Sequence, residues 1–360
     1  MKKAAGAVFF IIIFSFPILF FVSRRGEVSL SERRYLAPAP QISLDGVLSG
    51  AYFDELCAYL TDNAPFRDAL RTVKALTEMR ALGIKENNSL AYERGHVAKI
   101  IGKINDASIK NALAVWKKVD ETCLNNCSKK YIAIIPDKGY FFSRDLGYPG
   151  EDRRCAIEKV TRALADFEYV DVLDKISLDD YYKTDTHISQ NRAMGLVGAL
   201  CEKMSAPKSH FEHKVLSAGE FFGVYRGQSA LPLPPDELKY IESDALALCT
   251  VYDCAAKKYI PMYDTSAARG RDGYEMFLGG ARGILKITNP ALGSGREIVV
   301  FRDSFGSAVC PLLCERYDSV TAIDLRYTDV DTVVQNVNFS GKDVLFLYSF
   351  HTLENSFQMK

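Results

Sequence analysis

The feature that most constrains this chain is a rhythm in its last third. Short, continuously apolar runs rich in β-branched residues alternate with helical stretches. Glu297–Ile298–Val299–Val300–Phe301 reads as a buried strand, and Gly306 onward as a short helix. A strand over 319–325, a helix over 330–336 and a strand over 343–349 follow. Earlier come a helix over 107–119, the strand Tyr131–Ile135, a helix over 151–166, a strand over 168–173 and a helix over 190–204. This alternation predicts an α/β fold around a mainly parallel sheet. Residues 206–295 break the rhythm with many Tyr, Gly and Pro, and read as an inserted, partly β subregion.

Upstream, Lys2–Lys3 precede a stretch without charge from Ala4 to Val22, closed by Arg24–Arg25. As a helix it would be about 28 Å long, close to the hydrocarbon thickness of a bilayer. Phe20–Phe21–Val22–Ser23 is a poor cleavage site, so an uncleaved signal anchor over 1–25 is expected. Leu30–Pro40 reads as an extended linker. Helices follow over about 52–60 and from Pro65 to about Leu82, within a juxtamembrane region 26–89. The domain proper is expected at 90–360. Asn87–Asn88–Ser89 matches a glycosylation sequon, which matters only in a eukaryotic secretory pathway.

The 360 residues hold 45 basic and 45 acidic side chains, and no Lys/Arg run forms a phosphate-binding stripe, so no nucleic acid is implied. The nine cysteines are an odd number without a CxxC pair. Cys123/Cys127 and Cys310/Cys314 are each four apart. Cys249 and Cys254 could flank a turn and pair. His210 and His213 have helical metal-ligand spacing, but no third cluster completes a ligand set, and no metal or cofactor is expected. His96 and His351 stand alone.

Ser304 falls on the strand-to-helix turn, where a hydroxyl is exposed near free N–H groups and the positive end of the helix dipole. It reads either as a nucleophile or, with Asp303, as a helix cap. Asp185–Thr186–His187 offers a carboxylate and an imidazole two residues apart, on one side of an extended segment. The pair could orient a general base or ligate a metal. Loops at the carboxyl ends of strands gather in open α/β sheets, which would bring these two segments together. Arg326, after Ala322–Ile323–Asp324–Leu325, would stabilise an oxyanion, hold an acidic substrate, or pair with Asp324 or Asp329. Tyr348 would reach the site or pack in the core.

Together, Asp185–Thr186–His187, Asp303–Ser304–Phe305 and Ile323–Asp324–Leu325–Arg326–Tyr327 resemble the motifs of the bacterial DHHW proteins. Those are similar to alginate O-acetyltransferase-like proteins of the SGNH hydrolase superfamily. Leu30–Ala37 resembles the family's S-E-x-E-N-R-x-L region, and Asp62–Asp68 its D-x-F-P-x-R-D element. Ile135–Lys138 and Tyr274–Gly280 also fit, in order along nearly the whole chain. The resemblance implies a flavodoxin-like SGNH-type sheet with helices on both faces. Ser304 would be the nucleophile, His187 the base and Asp185 its orienter, with Phe305 N–H and Arg326 near the oxyanion. It further implies an O-acetyltransferase or esterase outside a bacterial cell membrane, acting on a cell-surface polysaccharide. A transferase would need an acyl donor, such as a membrane acyl-transfer partner. The chain departs from the family at Ile188, where Trp is usual, and at Arg33–Arg34, which replace E-N. A non-catalytic glycan-binding or scaffold protein on the same frame is the rival reading.

Overall fold

The computed structural model describes residues 2–22, 26–29 and 31–360, with side chains at 2–5, 7, 8 and 12 outside the description. The chain divides into two compact units, one of residues 1–88 with 224–233, the other of 89–223 with 234–360.

In the first unit, Lys2–Val22 is one α-helix with Pro17 inside it. Among the described residues no helix is long and apolar enough to cross a membrane. The Arg24–Arg25 pair expected to close a span lies outside the described residues. Helices Ala51–Asp62 and Arg67–Leu76 follow, the second running on into a π-helical turn, Thr77–Ala81. Residues of the two sequence elements noted above meet here. Asp62 accepts both Nη1 and Nη2 of Arg34, at 2.6 and 2.5 Å, and Arg67 reaches Glu32 at 2.5 Å.

The second unit is built on an eight-stranded sheet. Its strands are β1 (Lys130–Ile135), β2 (Glu168–Tyr169), β3 (Thr250–Asp253), β4 (Lys258–Ile260), β5 (Ile284–Thr288), β6 (Glu297–Arg302), β7 (Ser319–Ile323) and β8 (Asp343–Ser349). Their order is β4-β3-β5-β7-β6-β8-β1-β2. The pairs β7/β6, β6/β8, β8/β1 and β1/β2 are parallel, and β5, β3 and β4 extend the sheet antiparallel. Counted from β6, the parallel strands run 2-1-3-4-5, the flavodoxin-like order, with the chain starting part-way round. Strands β6 to β8 are buried almost throughout, which is why β6 and β8 read as unbroken apolar runs at 298–301 and 344–348.

Helices α1 (Asp106–Cys123), α2 (Lys138–Leu146), α3 (Arg153–Ala163), α4 (Met194–Lys203), α5 (Gly306–Leu313), α6 (Val330–Asn336) and α7 (Phe350–Glu354) surround the sheet. The step from β6 to β7 runs one way across it and the step from β7 to β8 the other. Right-handed crossovers therefore put α5 and α6 on opposite faces. Accordingly α1 touches α3, α6 and α7, while α5 touches α4. The β2 strand stops at Tyr169, well short of the expected 173. Asp171 accepts Leu173 N–H at 3.1 Å and turns the chain into a 3₁₀ segment, Leu173–Lys175.

Between 206 and 295, besides β3 to β5, a ribbon pairs Lys214–Phe221 with Asp236–Glu242. Buried Gln190 ties it to the sheet's helices, accepting Ile241 N–H and donating to Ala308 O, both at 2.8 Å. All nine cysteines are thiols. Cys249 does not pair with Cys254, and its thiol instead donates to Ala245 O at 3.3 Å.

Candidate active site

Strand β6 ends at Arg302, and Asp303 and Ser304 occupy the turn before α5. Asp303 shapes this turn. Its carboxylate accepts Phe305 N–H at 2.9 Å, and its other oxygen accepts Ser349 N–H, Ser349 Oγ and Thr352 Oγ1 at 2.6–2.7 Å. The end of β6 is thereby tied to the end of β8 and the start of α7. No side chain caps the Phe305 N-cap position, and Ser304 Oγ is turned to another partner.

That partner comes from the 182–187 turn, which closes through Tyr182 N–H to His187 O at 3.0 Å. Outside groups hold its backbone. Lys138 Nζ donates to the carbonyls of Tyr182, Lys183 and Asp185 at 2.8–3.0 Å. Asp236 accepts Lys183 N–H, Thr184 N–H and Thr184 Oγ1 at 2.6–2.8 Å. Gly223 lies so close that a Cβ there would sit 2.2 Å from Thr184 O, which excludes any larger residue. Burial pushes the Lys138 ammonium down to about 7, with Asp185 and Asp236 resisting.

The turn presents Asp185 and His187 to Ser304. Asp185, fully buried, accepts His187 Nδ1–H at 2.6 Å, and His187 Nε2 lies 2.9 Å from Ser304 Oγ. An ionised carboxylate only accepts, so the Nδ1–H tautomer is fixed and Nε2 is left to accept the serine hydroxyl. The arrangement can take a proton from Ser304 and return it to a leaving group. Two aromatic rings lie against the imidazole. The Tyr274 ring stacks on it at 3.7 Å and 7°, and the Phe305 ring lies at 5.1 Å.

A cavity of about 210 Å³ opens here, lined among others by His187, Ser304, Tyr274, Glu275, Arg302 and Arg326. Its size suits a short acyl group better than a drug-sized ligand. Arg326 grips Asp324 through Nε at 2.9 Å and Nη2 at 2.7 Å, the pairing weighed in sequence. Burial opposes its charge, but Asp324 outweighs that and holds the guanidinium protonated. Phe305 contributes its ring rather than its N–H, which belongs to Asp303. Tyr348 is elsewhere. Alternation on β8 puts it on the face of Phe346, in the core, with its ring 4.9 Å from Trp116. Ile188 is buried and lines no part of the cavity. His213 lies 2.9 Å from the buried Glu315 carboxylate.

Sequence reading assigned no role at the site to Tyr274, Arg302 or Lys138. Tyr274 and Lys138 lie in two of the stretches that carry the family resemblance, and Arg302 abuts Asp303–Ser304. Their adjacency to the motifs was the available signal.

Solved structures share this fold. A DHHW family protein from Eubacterium siraeum DSM 15702 aligns with a TM-score of 0.57 at 19% identity, over 75% of this chain and 93% of its own. Bacillus cereus PatB1 aligns at 0.53 and 14% identity, over 74% and 97%. PatB1 with a sulfonyl adduct aligns at 0.55 and 17%, over 74% and 96%. The resemblance to DHHW proteins thus holds at the level of the fold. No protein-family model and no curated protein sequence matches the chain.

Proposed function

We propose that this chain is an SGNH-type serine acyltransferase or esterase acting on O-acetyl groups of a cell-surface polysaccharide. The observation that carries the reading is the hydrogen-bonded line from Asp185 through His187 to Ser304, opening on a small cavity. Ser304 Oγ attacks the acyl carbon while His187 Nε2 takes its proton. The carbonyl π pair moves onto oxygen. Collapse of the intermediate expels the alcohol, which receives the proton from His187 and leaves an acyl-serine. A water or a sugar hydroxyl, activated by His187 in turn, then takes the acyl group. Asp185 keeps the imidazole in the tautomer that both steps need.

The segment 1–25, which reaches beyond the described residues at both ends, is proposed as the anchor in a bacterial membrane, with the sheet domain outside the cell, where glycan substrates and a membrane acyl-transfer partner would meet it.

Turnover of p-nitrophenyl acetate by Ser304→Ala should fall by about 10⁴-fold or more. Activity surviving this change would exclude Ser304 as the nucleophile. A sulfonyl fluoride, the class of probe that matches the adduct on PatB1, should label Ser304 in the wild type. A binding scaffold would leave that serine unlabelled.

A further inference from the structure

When Ser304 Oγ adds to an acyl carbon the carbonyl oxygen becomes an alkoxide, and its charge requires donors within hydrogen-bond reach. In α/β-hydrolase nucleophile turns, the backbone N–H after the nucleophile supplies one. Here Phe305 N–H is held by the Asp303 carboxylate at 2.9 Å, and Gly306 and Ser307 N–H donate to Asp303 O and Ser304 O. The start of α5 therefore offers little to an incoming anion.

Arg302 is differently placed. It is 1% exposed and lines the same cavity as Ser304 and His187. Its Nη1 donates to Ser307 Oγ at 2.9 Å and Asp303 O at 3.3 Å, and lies 3.5 Å from Asp324 Oδ2. Nε and Nη2 have no hydrogen-bond partner among the described residues. These two nitrogens form one edge of the guanidinium. It is the edge with which Arg326 grips Asp324 in the same region. Leaving a buried donor unsatisfied costs about 1–3 kcal/mol, and more for a charged group. A whole unused fork beside a serine–histidine pair therefore marks the place of a ligand oxygen. Tyr274 Oη, also buried and unpartnered, lines the same cavity.

We propose that Arg302 is the oxyanion-holding residue. Its Nε–H and Nη2–H receive the oxygen that becomes negative when Ser304 adds to an acyl carbonyl. The inference rests on the acyl-transfer reading above and extends it to a residue outside the serine–histidine–aspartate line. Arg302 donates hydrogen bonds and transfers no proton. The bond formed is Oγ–C, the pair displaced is the carbonyl π pair, and the proton lost by Ser304 resides on His187 until the leaving alcohol takes it. Because Ser307, Asp303 and Asp324 already fix the guanidinium, no reorganisation is needed as charge develops.

The test uses the full-length protein in detergent. For Arg302→Met, kcat on p-nitrophenyl acetate should fall about 10²–10³-fold, with KM changed by less than about 3-fold, because the contact forms only in the transition state. Arg302→Lys keeps the charge without the fork and should regain part of the loss. A folded Arg302→Met protein with kcat within about 3-fold of wild type would overturn the proposal. Should the variant not fold, the wild-type structure after phenylmethanesulfonyl fluoride decides. A sulfonyl oxygen within about 3.2 Å of Arg302 Nε or Nη2 supports the assignment. An adduct on Ser304 whose oxygens meet only other donors refutes it and leaves the acyl-transfer reading intact. No adduct and no esterase activity would sink both.

Discussion

Asp303 organises the site without lining its cavity. Its carboxylate is 1% exposed and satisfies four donors from three segments. Asp303→Ala would strand all four in the interior, at about 3–5 kcal/mol by analogy with removing one partner of a buried ion pair. Urea titration should show this as a lower midpoint with an unchanged slope, and a midpoint near that of wild type would contradict the role. Asp185 is the opposite case. Asp185→Asn preserves size and can still hydrogen-bond, but its amide can donate to Nδ1 and favour the wrong imidazole tautomer. Turnover should drop by about 10⁴-fold while the melting temperature barely moves. A large fall in melting temperature with modest loss of turnover would mark Asp185 as structural instead.

At the scale of elements, the 182–187 turn has no ladder or helix of its own, so Lys138 at the head of α2 does part of that work. A lysine in the unfolded chain titrates near 10.4, whereas this one is pushed down to about 7 by burial. Between those values the unfolded chain binds more protons than the native one. This group's contribution to stability therefore rises with pH across the window, and its burial penalty is fully present below about 7. The unfolding free energy of wild type relative to Lys138→Met should climb from pH 7 toward 10 and be flat below 7. Parallel profiles for the two proteins would remove the linkage. The strands around this turn were legible because burial on both faces leaves unbroken apolar runs at 131–135, 298–301 and 344–348. Ser304, His187 and Asp185 were legible from their residue types on two loops of such a sheet. The short α2 and α7 were not, since each follows a strand directly and is too brief to build a helical period. Nor were the stacking of Tyr274 on His187 and the unpaired edge of Arg302. Both are products of tertiary packing between segments with no pattern linking them in sequence. Tyr348 shows the converse: of the two readings open in sequence, reaching the site or packing in the core, the structure takes the second, with the Trp116 ring 4.9 Å away.

At the scale of the whole molecule, the N-terminal unit is completed by ten residues from far along the chain. Arg71 Nη2 donates to the carbonyls of Gly227 and Gln228 at 3.0 and 3.1 Å, and Asn87 Nδ2 to Ser229 O at 3.0 Å. Gly227 sits so tightly that a Cβ there would come within 1.6 Å of Ser31 O. Backbone cannot yield as the far end of a flexible side chain can, so even alanine would push the two segments apart. Two truncations should therefore behave differently. Removing residues 1–25 takes away only the proposed anchor, and should move the protein from the membrane fraction to the soluble one with unchanged esterase activity. Removing residues 1–88 also takes Ser31, Arg71 and Asn87, and strips the Gly227, Gln228 and Ser229 carbonyls of the donors that Arg71 and Asn87 supply. That segment should then become a preferred cleavage site in limited proteolysis, while the longer protein resists there. Gly227→Ala in the longer protein should reproduce the cleavage by displacing the segment from Ser31. If the 1–88 deletion and the Gly227 variant both resist protease at 224–233, these contacts do not hold the segment, and the N-terminal unit is stabilised by its own Arg34–Asp62 and Arg67–Glu32 pairs instead.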